Sequence, residues 1–192
     1  MTKTIFRAVV AAVLTAAPAN AALVADFQLN NSLDDALGGP AIVNNGGSLG
    51  VTGISFSNIQ SPTLGGFSNT AVYSIEVQFS FASLGGYQKI LDFKSRAPDT
   101  GLYTFGTSLN FYPVVTSSSI FAPNQLARLV LTRDTAGLVT GYIGNSAMIS
   151  FADSGNLVTI NSELHFSATI SRRASSRRRR ASSTISASMT PP

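Results

Sequence analysis

The sequence contains no cysteine, a single histidine (His165) and two glutamates (Glu76 and Glu163). Without cysteine there can be no disulfide, thiol nucleophile or thiolate metal site. The lone His165 has no serine elbow of the G-x-S-x-G type to serve and reads as a strand-edge histidine. Charge is scarce too: 11% of residues are Asp, Glu, Lys or Arg, against about a quarter in ordinary soluble domains. Glycine, serine, threonine and asparagine take the vacant share, a composition that favours short strands and turns over helices.

The net charge of +4 sums three unlike segments. Residues 1–21 carry +2 from Lys3 and Arg7, residues 22–166 carry −4, and residues 167–192 carry +6 from six arginines. The body is therefore mildly acidic and lacks the basic footprint of a nucleic-acid binder. The opening segment MTKTIFRAVVAAVLTAAPANA has a basic start, an apolar run over Ala8–Ala17, Pro18 and then Ala19-Asn20-Ala21. This is the pattern of a secretory signal peptide at 1–21, too short to span a bilayer, which takes about 20 apolar residues. It predicts a secreted, periplasmic or cell-surface protein with no transmembrane span in the mature chain.

From Ala22 to Phe166 short alternating runs are separated by Gly, Pro and Asn turns. Strands are predicted at 22–29, 72–81, 87–94, 101–106, 108–114, 127–134, 138–143 and 147–151, with brief candidates at 41–45 and 53–57. In 72–81 the set Tyr73, Ile75, Val77, Phe79 and Phe81 alternates with Val72, Ser74, Glu76, Gln78 and Ser80. One face is then buried and one polar, as in an antiparallel sheet. At 192 residues the chain suits one domain, and the strand rhythm predicts an all-β sandwich.

The stretches YSIEVQF (73–79), GYQKILDFKSRAPDTGLYTFGTSLNFYP (86–113) and ARLVLTRDTAGLVTGYIGN (127–145) resemble laminin-G-like members of the concanavalin A-like lectin/glucanase superfamily. The similar proteins are exported bacterial domains, often ending in a PEP-CTERM sorting tail. The resemblance covers residues 22–166 and implies a jelly roll, two antiparallel sheets face to face. Retaining hydrolases need two carboxylates about 5 Å apart, and related glucanases carry them as E-x-D-x-x-E. Neither Glu76 nor Glu163 has that spacing, so a non-catalytic domain is expected. Some laminin-G-like domains hold calcium through loop Asp residues and carbonyls. No residue here identifies such a site, and the Asp residues of TRDTAG (132–137) and DSGN (153–156) read as turn caps.

Such domains end in a strand resembling V-D-D-I-R-I-Y-D, which pairs near the first strand. Here the chain ends SRRASSRRRRASSTISASMTPP. Read two bases later, codons for Ala181–Pro192 allow V-V-D-D-I-R-I-Y-D-A-A. The tail 167–192 is therefore expected to be a disordered, out-of-frame translation shifted near Phe166–Ser167, and the sandwich to lack its last strand. A phosphate-binding arm is the other reading of the arginines, but it lacks interleaved aromatics and sits on an exported chain.

The expected function is binding, either of a glycan or of an extracellular protein. Sugar sites in sandwiches use an aromatic face with polar groups for the hydroxyls. Alternation puts Asn110 and Tyr112 on one face of their strand, opposite Leu109, Phe111 and Pro113, and a hairpin over 101–112 brings Tyr103 beside them. These three are the candidate ligand residues. The alternative is a structural or protein-interaction module that binds no sugar.

Overall fold

The computed structural model describes residues 23–57, 60–68, 70–95 and 99–166, and the backbone of 186–190. The predicted signal peptide and residues 167–185 of the tail lie outside the described residues. The described residues form strands and turns, and none of their elements is a helix long and apolar enough to cross a membrane.

Fourteen strands, numbered along the chain, are described. One antiparallel sheet runs in the order β1 (Ala25–Phe27), β14 (Ser186–Thr190), β5 (Tyr73–Phe79), β10 (Ala127–Arg133), β11 (Leu138–Ile143) and β12 (Ser146–Ala152). The second runs β4 (Thr63–Gly65), β13 (Glu163–Phe166), β6 (Tyr87–Asp92), β7 (Gly101–Phe105), β8 (Ser108–Tyr112) and β9 (Val115–Ser119). A small ribbon joins β2 (Ser48–Gly50) to β3 (Gly53–Ser55). The chain is thus an all-β sandwich. Of the two brief candidates, 53–57 contains β3, whereas 41–45 contributes a single bridge, Val43 to Thr63. Strands β2, β4, β9 and β13 lie where no strand was predicted.

The core lies between the sheets. Ile75, Val77 and Phe79 of β5, Leu129 and Leu131 of β10 and Val139 of β11 come from the first. They meet Leu91, Leu102, Leu109, Phe111, Leu164 and Phe166 of the second. Each such side chain contributes about 1.5–3 kcal/mol on burial. Phe111 and Phe151 link β8 to β12 with ring centroids 4.7 Å apart. The β5 alternation is as predicted: Ser74, Glu76 and Gln78 lie on its half-exposed outer face. There Glu76 meets Arg128 of β10 at 2.6 Å.

The second sheet is different. β6, β7 and β8 bury residues on both faces, so its outer face is partly sealed and holds polar groups.

The closing strand is a correction. Ser186–Thr190 forms β14, between β1 and β5, where the missing strand was expected to be absent. The register pairs Ala187 with Val77 and Met189 with Ile75, and Ser186, Ser188 and Thr190 with Gln78, Glu76 and Ser74. SASMT alternates small or apolar with hydroxyl residues in step with β5, and main-chain ladder bonds do not depend on side-chain identity. The residues as they stand therefore complete the sheet, and 186–190 are a strand rather than disordered tail.

Candidate functional site

The outer face of β6–β8 is built from two hairpins. β7 and β8 are joined through Gly106, which takes φ +58°, in the left-handed region that glycine adopts without strain. Their register pairs Tyr103 with Asn110 and Gly101 with Tyr112. Paired and alternate residues share a face, so the structure brings Tyr103, Asn110 and Tyr112 together.

Two aromatics that the sequence reading missed join them. β6 pairs with β7 so that Tyr87 stands opposite Phe105. Tyr87 stacks on Phe105 at 4.5 Å between centroids and meets Tyr103 edge-on at 5.7 Å and Tyr112 at 5.4 Å. Tyr103 and Tyr112 lie 6.4 Å apart. These are favourable aromatic separations. Tyr103 is buried, whereas Tyr87 and Phe105 are each 47% exposed and Tyr112 37%. The result is a continuous patch of three half-exposed rings over a buried fourth.

Beneath the rings lie polar groups. Asn110 is buried; its Nδ2 donates to Thr116 Oγ1 at 2.5 Å and to the Val115 carbonyl at 3.2 Å. Among the described residues its Oδ1 has no hydrogen-bond partner. Lys89 and Asp92 also belong to this face, although a spacing of three would separate them in a regular strand. A bulge between Lys89 and Leu91 removes the mismatch. Lys89 Nζ lies 2.5 Å from Asp92 Oδ2, with both side chains wholly buried, and 4.9 Å from the Tyr103 ring centroid. Gly101 leaves room for this pair, because a Cβ there would come within 2.8 Å of the Leu91 carbonyl oxygen and 3.2 Å of Lys89 Cε.

At the rim, Tyr103 donates its hydroxyl hydrogen to Asp99 Oδ1 at 2.7 Å. Burial, then the Asp99 hydrogen bond and the charges of Asp99 and Asp92, push the phenol's pKa well up, so it stays protonated as a donor.

The remaining polar clusters are structural in their contacts. Arg133 donates through Nε to Asp153 Oδ2 at 2.9 Å and through Nη1 to the Ala71 carbonyl at 2.8 Å. Asp153 also accepts from the Leu157 and Val158 amides, and Asp134 from those of Ala136 and Leu138. Both aspartates thus cap turns. His165 is not at a strand edge: β13 runs between β4 and β6, and the ring lies 3.0 Å from Glu163 Oε2 and 3.2 Å from Thr63 Oγ1. Among the described residues no three His, Asp or Glu side chains gather as metal ligands. A separate open cleft of about 240 Å³ lies beside Ile120, Leu126, Arg128 and Ile143.

No family model and no curated protein matches the chain. Solved structures do. Domain 4 of AbnA, an extracellular arabinanase of Geobacillus stearothermophilus solved in complex with arabinotriose, aligns with a TM-score of 0.60 at 14% identity. That alignment covers 89% of this chain and 93% of that one. The sialidase of Trypanosoma rangeli in complex with sialic acid aligns with a TM-score of 0.64 at 14% identity, over 88% of this chain and 30% of the sialidase. A structure from a study of botulinum neurotoxin type C, whose cell entry depends on interaction with two ganglioside molecules, aligns with a TM-score of 0.61 at 14% identity, over 88% of this chain and 47% of that chain. The chain thus spans nearly all of the arabinanase domain and less than half of the other two. At these identities the likeness shows the fold, a β-sandwich of the jelly-roll kind.

Proposed function

We propose that the chain is an exported, non-catalytic carbohydrate-binding domain of laminin-G-like type that holds a glycan on the outer face of β6–β8. The observation that carries this is the patch of Tyr87, Phe105 and Tyr112, half-exposed together above Asn110 and Tyr103. Exposed rings offer flat apolar surfaces for the apolar faces of sugars, and small numbers of placed polar groups then fix orientation. Asn110 Oδ1 leaves an unsatisfied buried acceptor, at a cost of about 1–3 kcal/mol. A sugar hydroxyl would satisfy it once the overlying side chains give way. Glu76 is engaged by Arg128, and Glu163 lies beside His165 on the other sheet, which fits binding without hydrolysis. Similarity to a domain solved with arabinotriose, and to a toxin whose cell entry depends on interaction with gangliosides, supports the same reading.

The test is a broad glycan array, followed by calorimetric titration of each hit. Tyr112→Ala should weaken binding about tenfold or more, roughly 1.4 kcal/mol, while keeping the wild-type melting profile. A silent array, or full binding by both Tyr112→Ala and Tyr87→Ala, would sink the proposal. Silence together with a specific extracellular protein partner would move the function to protein contacts.

A further inference from the structure

Granting that the aromatic face holds a glycan, we infer that it selects uncharged saccharides over sialylated or uronate-bearing ones, and that Asp99 sets this preference. The charges around the rings decide it. Asp99 stands exposed at the rim, fixed against the Tyr103 hydroxyl. The nearby cation, Lys89, is sealed beneath the rings and paired with Asp92, so it has no surface to offer a ligand carboxylate. Lys94 turns its ammonium to the Thr159 carbonyl at 3.3 Å. Arg128 and Arg133 belong to the first sheet, where Glu76 and Asp153 hold them. Arg96 lies outside the described residues.

Among the described residues the local field is thus acidic. The phenol of Tyr103 registers it: after burial itself, the hydrogen bond to Asp99 and the charges of Asp99 and Asp92 hold its proton on. Hydrogen-bonding capacity points the same way. Asp99 and the unpartnered Asn110 Oδ1 are acceptors, and hydroxyl-rich neutral sugars supply donors to both. A carboxylate would bring more acceptors and a like charge toward Asp99.

The test uses matched probes: lactose against 3′-sialyllactose, and a galacturonate trimer against its methyl ester, which keeps the shape and removes the charge. An array of neutral, sialylated and uronate-bearing glycans supplies further pairs. Neutral members should bind at least tenfold more tightly than their anionic counterparts. Asp99→Asn should narrow that ratio at least threefold, and raising salt from 20 to 500 mM should narrow it in the wild type, because exposed charges are screened. Anionic members binding as well as neutral ones, with Tyr112→Ala still abolishing both, would overturn the preference and leave the glycan site standing. An unchanged ratio in Asp99→Asn would overturn the role of Asp99. An array with no hits at all would overturn the glycan reading, and this inference with it.

Discussion

Asp35 gathers three backbone donors: the Asp26 amide at 2.8 Å and the Leu37 and Gly39 amides at 3.0 Å each. Burial alone would raise its pKa, but the three donors outweigh burial and lower it below the usual 3.8. The folded protein then holds this proton less tightly than the unfolded chain. The resulting stabilisation is complete above the unfolded value and is lost as the pH falls through the lowered folded one. We expect Asp35→Asn to cost about 1–3 kcal/mol at pH 7, the gap closing in urea melts as the pH falls below about 4. A gap unchanged down to pH 2.5 would refute this. Arg133 is the other residue with leverage, since its removal strands a buried carboxylate. Arg133→Met should cost about 3–5 kcal/mol, and adding Asp153→Asn, which removes the stranded charge but keeps an acceptor for the Leu157 and Val158 amides, should recover part of it. Two losses that simply add in chemical denaturation would show that the pair is not coupled.

Elements place side chains where residue lists cannot. The bulge in β6 changes the parity of the strand, so Lys89 and Asp92 face one way while Leu91 enters the core. Gly101 is its counterpart on β7. We expect Gly101→Ala to destabilise by about 1–3 kcal/mol through overpacking against the Leu91 carbonyl, as read by thermal unfolding. A change within about 0.5 kcal/mol, the range of an ordinary surface substitution, would contradict this. These local devices also explain what the sequence made legible. Alternation within 108–112 was enough to put Asn110 and Tyr112 on one face, and the hairpin added Tyr103. Tyr87 and Phe105 were missed because their meeting depends on cross-strand register, which alternation within one strand does not supply. Lys89 with Asp92 required the bulge, and Asp99 the path of a loop. Strands β2 and β4 are three residues long and show too little alternation to read, while β9, VTSSS, presents no apolar stripe.

At the scale of the whole molecule, β14 decides whether the first sheet is continuous. With it removed, β1 loses the partner described for it and β5 presents one side of its ladder, an edge open to other chains. Truncation after Phe166 should therefore abolish cooperative unfolding and produce large species in sedimentation. Ser188→Pro, which deletes a ladder N–H in an interior strand, should cost about 1–3 kcal/mol. A truncated chain that stays monomeric and melts like the full-length protein would show that β14 is dispensable. The same feature bears on timing. β14 follows β1 by about 160 residues, so the strand that joins β1 to β5 is made after both. At about 5–20 residues per second, that interval is roughly 8–30 s of synthesis. Until then β1 has no place beside β5, and that side of the first sheet stays open. The order of translation thus holds the first sheet open until β14 has been made.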